Sequence, residues 1–340
     1  MERDRKTLQV GAIAVMAAIF LRLLSTGVVA AFLEKPLVAS LVLLSETGRW
    51  VCPSEDVVFT PEAEETLLPA PQETPALTEQ EIEETAQPVD FTQEDAALVE
   101  VNSACGYQVD LADCLQRPLN WDLTADGPTV LIVHSHGSES YTKTEDYEES
   151  TAYRTLDKSY NVVSVGAYLK ELLQAEGIGV IHDTTMHDQP SYNDSYIASR
   201  DAVEAYLEEY PTICMVLDIH RDAYETDDGK QKGHTVSVNG KETAQLMMVV
   251  GTDASGRVHP NWQENMALAV KLHVQLQKIA PGICRPISFR SQRFNQDLSV
   301  GAMLIEVGAA GNTRQEALLA AELLAEGIVS LAYGTEGQMY

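Results

Sequence analysis

From residue 128 onward, short apolar runs alternate with longer segments in which apolar residues recur every three or four positions. The short runs are TVLIVH, IGVIHD, TICMVLDIH, AQLMMVVGTD and GAMLIEVG, and each has the length and composition of a buried strand. The longer segments have the periodicity of amphipathic helices. Because this alternation is typical of α/β proteins, we predict a mostly parallel open sheet with helices on both faces.

Four helices are predicted in the longer segments SYNVVSVGAYLKELLQAEG, SYIASRDAVEAYLEEYP, NWQENMALAVKLHVQLQKIAPG and the segment that begins at TRQE. Gly177 ends the first helix and Pro211 ends the second, because glycine is favoured at helix C-termini and proline cannot continue a helix. At the start of the last helix, Thr313 can cap the first turn and Glu316 can complete a capping box.

Residues 1–53 show a different pattern, in which residues 8–33 form one mostly apolar run. This run is long enough to span a bilayer, even with Arg22 inside it. The basic residues at 1–7 predict a cytoplasmic N-terminus and an outward-facing remainder. A cleavable signal peptide is the alternative, but its apolar core is usually only ~7–15 residues long. We therefore predict an uncleaved transmembrane anchor, followed by a membrane-proximal segment at 34–53.

Residues 54–103 are acidic and rich in proline, threonine and glutamate. Between residues 55 and 100 there are 14 Asp or Glu residues and no Lys or Arg, which accounts for half of the net charge of −28. This composition buries too little apolar surface to offset the entropy of ordering, so we predict a disordered linker before a folded domain at 104–340. The chain also has no basic stripe that could neutralise phosphates, which argues against nucleic-acid binding.

The five cysteines are scattered, and no pair has the Cys-x-x-Cys spacing of a zinc or redox site. Cys105 and Cys114 are the pair that could form a disulfide outside the cell. Isolated thiols are the favoured interpretation, so the fold is not expected to depend on disulfides.

Histidines or carboxylates follow or end three of the predicted strands, and a glutamate stands within a fourth: His134, His136, Glu139, His182, His220 and Glu306. In open α/β sheets, ligands bind beyond the carboxyl ends of the strands, so these side chains are predicted to converge at one edge. Two imidazoles, one carboxylate and an open position for water make a catalytic zinc site. Glu306 stands in an otherwise apolar strand, and because an unpaired buried carboxylate is costly, its presence there indicates a function such as proton transfer.

Other catalytic chemistries fit the sequence less well. Ser138 and Ser140 suggest a serine hydrolase, but GSES is not the Gly-x-Ser-x-Gly motif of such enzymes. A metal-dependent phosphoesterase is another alternative, but the chain has neither a carboxylate-rich two-metal cluster nor a glycine-rich phosphate loop.

Six blocks of the domain resemble the stage II sporulation protein P family in order along the chain. They are HSHGSESYT, YNVVSVG, GIGVIHDTTMHDQPSYNDSY, LDIHRDA, GTD with NWQENMALAVKL, and RFNQDLSVGAMLIEVGAAGNT. The membrane-proximal AFLEKPLVASLVLLSETGR is similar to the same family. The resemblance covers the anchor and the chain from about residue 128, but not the acidic linker.

The resemblance implies a membrane-anchored cell-wall hydrolase that acts in engulfment during endospore formation. It also implies a relationship to zinc-dependent N-acetylmuramoyl-L-alanine amidases, with removal of stem peptides from peptidoglycan and cleavage of peptide cross-links. The implied partners are stage II sporulation proteins D and M. The implied location is the membrane of the sporulation septum, with a single membrane pass and the C-terminal domain outside the cytoplasm.

The resemblance also implies zinc ligands. His136-Gly137 matches the Gly-His-Gly-type turn of the related amidases, and His220 matches the histidine of a later block. Lys158 stands where those amidases have a metal-binding glutamate, and a cationic lysine cannot bind zinc. The third ligand is therefore left open among Glu139, Asp157 and His134.

Glu306 matches the catalytic glutamate of the same amidases. Arg221 and Asn312 are candidates to bind the substrate peptide or the oxyanion, although structural hydrogen bonds would explain them equally well. A non-catalytic peptidoglycan-binding module is the alternative function, and it would not need Glu306.

Overall fold

The computed structural model describes residues 89–119, 121–148, 150, 152–226 and 229–334. The predicted anchor, the membrane-proximal segment and the linker up to residue 88 lie outside the described residues. None of the helices in the described part is long and apolar enough to cross a membrane.

The described chain forms nine strands and five α-helices. The strands are β1 (Val101–Ser103), β2 (Val130–Val133), β3 (Val180–His182), β4 (Met215–Asp222), β5 (Thr235–Val238), β6 (Lys241–Ala244), β7 (Leu246–Val250), β8 (Ile287–Phe289) and β9 (Ala302–Ala309). The helices are α1 (Leu111–Gln116), α2 (Val162–Ala175), α3 (Ser195–Glu209), α4 (Trp262–Ile279) and α5 (Arg314–Tyr333). Two 3₁₀ turns lie at Gln93–Leu98 and Gln296–Leu298.

Seven strands form one sheet in the order β1-β8-β7-β9-β4-β2-β3. Strands β3, β2, β4 and β9 run parallel to one another. Strand β7 pairs antiparallel with β9, and β8 and β1 run parallel to β7. The prediction of a mostly parallel sheet is confirmed, with one antiparallel junction. As a result, the carboxyl ends of β3, β2, β4 and β9 meet at the same edge.

Helices cover both faces of the sheet, and the core on one face is larger than the core on the other. The residues of β2 contribute to both cores. Val130 and Ile132 belong to the large core, which also contains the apolar faces of α2, α4 and α5. Leu131 and Val133 point to the other face, where they join a smaller cluster with residues of α3. Because successive strand residues point to opposite faces, the run VLIV is buried throughout. Helices on both faces, as predicted, are therefore confirmed.

The ends of the helices follow the expected local chemistry. Thr313 caps α5 by accepting a hydrogen bond from the backbone N–H of Glu316, whose carboxylate accepts one from the backbone N–H of Thr313. This confirms the predicted capping box. The side chain of Asn161 caps α2 by accepting a hydrogen bond from the backbone N–H of Val163.

Several short elements were not predicted, namely strands β1, β5, β6 and β8 and helix α1. Strands β5 and β6 form a hairpin whose turn residues, Asn239 and Gly240, have φ of 50° and 77°. Strand β1 pairs with β8, with Val101 opposite Ile287, so the sheet includes residues before the predicted domain start at 104. Cys105 and Cys114 are both free thiols.

Helix α2 approaches the carboxyl edge of the sheet at Gly166. An added Cβ at this position would lie 2.7 Å from two ring atoms of His134 and 2.9 Å from Nε2 of His182. Gly327 in α5 is a similar helical glycine, but an added Cβ there would meet only the ends of Leu276 and Leu272 at 3.0 and 3.1 Å. The first position therefore faces rigid rings, and the second faces flexible side chains.

We expect Gly166→Ala to lower the free energy of unfolding by about 1–3 kcal/mol, because the methyl group would overpack the two imidazoles. The matched control, Gly327→Ala, should change it by less than about 1 kcal/mol, because the leucine ends can rotate and alanine favours the helix. Denaturant unfolding of both variants measures the difference. Equal effects would show that Gly166 is not a tight contact.

Candidate active site

Three potential metal ligands converge at the carboxyl edge of the sheet. His136 and Glu139 lie in the turn after β2, and His220 lies on β4, with one ligand atom from each within 4.8 Å of the others. Nδ1 of His136 is 3.5 Å from Oε1 of Glu139, and Nδ1 of His220 is 3.4 Å from Oε2. These separations are longer than good hydrogen bonds. Each is close to the ~3.4 Å that separates two tetrahedral ligand atoms placed about 2.0–2.1 Å from zinc, with each histidine next to a different oxygen of the carboxylate.

The turn that carries His136 and Glu139 is tightly packed. The backbone N–H of Glu139 donates to the carbonyl of His136 and closes the turn at 3.1 Å. Between them, Gly137 passes so close to the loop after β3 that an added Cβ would lie 2.9 Å from Sδ of Met186. A side chain at position 137 would therefore require the flexible end of Met186 to move.

Asp218 orients His220. Both lie on β4 two residues apart and so point to the same face, and Nε2 of His220 bonds to Oδ1 of Asp218 at 2.8 Å. This bond leaves Nδ1 facing the cluster, and a carboxylate on the second nitrogen is the usual support of a metal-binding histidine. Ser135 donates both its backbone N–H and its hydroxyl to Asp218. Burial opposes a charge on His220, but Asp218 and Glu139 raise its pKa well above the usual value.

Glu139 is the carboxylate that the structure brings to the two histidines. Arg221 donates its backbone N–H to Oε2 at 3.2 Å, and its guanidinium lies 3.4 Å from Oε1. Arg154 approaches Oε1 at 3.5 Å. Burial alone would raise the pKa of Glu139, but Arg221 and the two histidines hold it well below the usual range. Glu139 is therefore ionised, as a metal ligand must be.

Arg221 is enclosed rather than open to a substrate. Its Nε donates to the carbonyl of Ser140 at 2.9 Å, and its Nη2 donates to the carbonyl of Tyr153 at 2.8 Å. Only 5 % of the residue is exposed. The structure therefore places Arg221 as a support for Glu139, whereas the sequence made it a candidate for substrate binding.

Asn312 and Asp157 lie outside the cluster. Asn312 is fully buried, and its Oδ1 accepts hydrogen bonds from the backbone N–H groups of His234 and Ala309. Its Nδ2 donates to Glu316, so no polar atom of Asn312 is left for the substrate contact considered from the sequence. Asp157 is exposed and is not one of the clustered ligands.

His134 does not join the cluster either. Its Nδ1 bonds to the carbonyl of Ile219 at 2.8 Å, and its Nε2 bonds to Nε2 of His182 at 2.8 Å. Both ring nitrogens are thus occupied, and neither is free to bind a metal. Burial lowers the pKa of His134 to about 4 and that of His182 to about 3, so the pair is neutral at physiological pH.

Glu306 faces the cluster from β9. Its Cα lies opposite that of His220 in the β4–β9 ladder. The residue is partly exposed, but its Oε2 is buried and has no hydrogen-bond partner among the described residues. Burial raises the pKa of Glu306 to about 8, and the negative charge of Glu139 contributes to the rise. A carboxyl group with a pKa near neutrality can both accept and donate a proton.

Aromatic side chains form one wall of the site and were missed in the sequence. The ring of Tyr192 stacks on His136 with centroids 4.3 Å apart, and its hydroxyl lies 3.5 Å from Nδ1. The guanidinium of Arg154 lies 4.3 Å from the centre of the Tyr192 ring. Tyr196 meets His136 edge-on at 5.4 Å. Both tyrosines lie in the block DQPSYNDSY, which contributed to the family resemblance but gave no indication of their role.

We expect Asp218→Asn to weaken zinc binding by about 10–100-fold, because His220 would lose the carboxylate that holds its tautomer and orientation. Asp183→Asn is the matched control, since Asp183 is also a buried carboxylate at this edge but bonds to His187. Competition with a chromophoric chelator measures both affinities. Equal losses in the two variants would contradict a specific role for Asp218.

The neutral histidine pair predicts a pH effect on stability. The folded-state pKa values of His134 and His182 lie below the unfolded value of about 6.5, so the unfolded chain binds more protons between pH ~6.5 and ~4. Stability should therefore fall as the pH decreases through this window. In His182→Gln the slope should be shallower by up to about 1.4 kcal/mol per pH unit. Denaturant unfolding at a series of pH values measures the slopes, and identical slopes would refute the prediction.

Among solved structures, this chain is similar to the N-acetylmuramyl-L-alanine amidase Ami1 from Mycobacterium smegmatis, with a TM-score of 0.36, 13% identity, and coverage of 62% of this chain and 98% of that one. It is also similar to the catalytic domain of CwlV, an N-acetylmuramoyl-L-alanine amidase from Bacillus (Paenibacillus) polymyxa var. colistinus. That TM-score is 0.37, with 12% identity and coverage of 59% and 97%.

A curated relative is stage II sporulation protein P of Bacillus subtilis (strain 168), which is 28% identical over 226 residues. The match covers 63% of this chain and 54% of the relative, so this chain spans about half the length of that protein. The model of the family "Stage II sporulation protein P (SpoIIP)" matches residues 55–329. This match covers most of the chain, and the chain therefore belongs to the stage II sporulation protein P family.

Proposed function

We propose that this chain is a zinc-dependent peptidoglycan hydrolase that cleaves the amide between N-acetylmuramic acid and L-alanine. The observation that carries the proposal is the cluster of His136, Glu139 and His220, with the unpaired carboxyl group of Glu306 facing it. Membership in the stage II sporulation protein P family supports a cell-wall substrate and a role in sporulation.

The donor set fits zinc, because two imidazole nitrogens and one carboxylate oxygen are the ligands of many catalytic zinc sites. The chemistry that zinc supplies in such a site is polarisation of the substrate carbonyl and activation of water. Asp218 holds the ligand atom of His220 in place, and Arg221 keeps Glu139 charged. These two residues therefore act through the ligands rather than on the substrate.

Glu306 moves the proton. In the hydrolysis, the oxygen of water bonds to the lactyl carbonyl carbon, and the bond from that carbon to the alanine nitrogen breaks. Oε2 of Glu306 accepts the proton that water loses and then delivers it to the leaving nitrogen. A carboxyl group whose pKa is raised to about 8 by burial is suited to both transfers. The products are a carboxylate on the muramoyl group and a peptide with a free amino terminus.

The wider role follows from the sequence and the family. We propose that the apolar run at residues 8–33 anchors the chain, with the linker extending the C-terminal domain outward at the sporulation septum or engulfing membrane. Cleavage of peptide cross-links and association with stage II sporulation proteins D and M belong to the same proposal. The family resemblance supports these features.

We expect Glu306→Gln to lower the rate of peptide release from peptidoglycan sacculi by at least about 100-fold, because the amide cannot accept the proton from water. Its zinc affinity should stay within about 2-fold of wild type. Glu264→Gln, in the first turn of α4 and outside the cluster, is the matched control and should keep full activity. Mass spectrometry of the released fragments identifies the bond that is cut.

Removal of the metal provides a second test. A chelator should abolish the release of stem peptides by the wild-type protein, and added zinc should restore it, because the proposed activation of water requires the metal. If the wild-type protein and Glu306→Gln both bound the sacculi and left them intact under all conditions, a non-catalytic wall-binding module would be favoured. If the protein neither bound the sacculi nor released peptides, both functions would be rejected.

A further inference from the structure

A groove of about 360 Å³ lies beside the candidate active site. Its lining includes Tyr196, Ile197, Arg200, Arg257, Arg293 and Phe294. Tyr196 belongs to both places, because its ring meets His136 edge-on at 5.4 Å and faces Phe294 at 5.9 Å. The groove therefore begins one aromatic ring away from the proposed ligands.

The charge of the groove is opposite to that of the chain. Arg200 and Arg293 share one carboxylate, Asp297, at 3.0 Å each. Arg200 also bonds to Glu204 at 2.8 Å. Arg257 is exposed and has no ion-pair partner among the residues that the structure describes. Three guanidinium groups thus face two carboxylates, which leaves an excess of positive charge in a chain whose net charge is −28.

The position of the groove determines which part of a substrate can reach it. An extended peptide advances about 3.3–3.6 Å per residue, so the residue after the alanine lies ~7 Å from the scissile amide. Tyr196, whose ring centre is 5.4 Å from that of His136 and which also lines the groove, lies within this reach. In peptidoglycan that residue is a glutamate, which carries a free carboxylate. The glycan strand is made of uncharged rings and the lactyl group, so it offers little for the excess positive charge to bind.

We propose that this groove binds the carboxylate of the substrate's stem peptide, with Arg257 as the contact and with Tyr196 and Phe294 flanking the peptide. The inference rests on the proposed function, since it assumes that the scissile amide lies at the cluster of His136, Glu139 and His220. It extends that function by naming the part of the substrate that is recognised. Arg200 and Arg293 hold the wall of the groove through Asp297.

The test measures binding without turnover. Titration calorimetry of the full chain, kept metal-free with a chelator, would use N-acetylmuramoyl-L-alanyl-D-glutamate and its counterpart with both carboxylates converted to carboxamides. The acid should bind at least about 5-fold more tightly than the amide, because only the acid can form a charge-assisted hydrogen bond with Arg257. Equal affinities would overturn the proposal.

Arg257→Gln should remove this preference by lowering the affinity for the acid about 5-fold and leaving the affinity for the amide unchanged. Arg290→Gln is the matched control, because Arg290 is an exposed arginine outside the groove, and it should keep the preference. A preserved preference in Arg257→Gln would overturn the proposal. So would displacement of the acid by inorganic phosphate at similar concentrations, since that would indicate a general anion site.

The outcome is separable from that of the proposed function. A protein that cleaves sacculi but binds acid and amide equally would reject the groove and keep the hydrolase. If neither Glu306→Gln nor zinc changed the release of peptides from sacculi, the proposed hydrolase function would be rejected, whatever the calorimetry shows. Unchanged thermal unfolding of Arg257→Gln would establish that its effect on binding does not come from loss of fold.

Discussion

The parallel register of β2, β4 and β9 is the constraint on which the site depends. It places His220 opposite Glu306 and Val133 opposite Asp218, so His220 of the candidate metal cluster and the carboxyl group proposed to transfer the proton lie side by side on neighbouring strands. Because side chains alternate along a strand, a slip of one residue in either pairing would turn these groups to the opposite face of the sheet. The apolar runs that precede them are buried throughout, with alternate residues in the large core and in the smaller cluster, so a slip would also exchange the residues that fill each core. The strand pairing that packs the core therefore also brings the site residues together.

Two glutamates at this edge have opposite properties because their neighbours differ. Glu139 lies against the guanidinium of Arg221, with Arg154 close by, and remains charged. Glu306 is partly exposed, but its buried Oε2 has no hydrogen-bond partner among the described residues, and the nearby charge of Glu139 adds to the cost of ionising it. The same side chain thus suits a ligand in one place and a proton carrier in the other. Arg221 is needed for this difference, which explains its burial between two backbone carbonyls.

The sequence was informative where the local pattern is long and uninformative where contacts are distant. The long strands and helices were predicted because periodicity is a local property. His136 and His220 stood out at strand ends, and Glu306 stood out within an apolar strand. Strands β1 and β8 are only three residues each, too short for a pattern. The choice of Glu139 over Asp157 and His134 depends on the fold of the turn after β2 and on the distant partners of His134. Asn239-Gly240 was a missed local signal, since Asn-Gly is typical of a hairpin turn.

The groove depends on a contact between two loops that no local pattern reveals. Nδ2 of Asn295 donates to the carbonyl of Tyr196 at 2.8 Å, which joins the loop after β8 to the start of α3. Asn295 and Phe294 both have positive φ, of 57° and 50°, so the loop turns sharply there and presents the Phe294 ring to Tyr196. Since Tyr196 also contacts His136, a shift of α3 would move a wall of the groove and a wall of the candidate metal site together. Recognition of the peptide and placement of the scissile amide would then be coupled through a single aromatic ring.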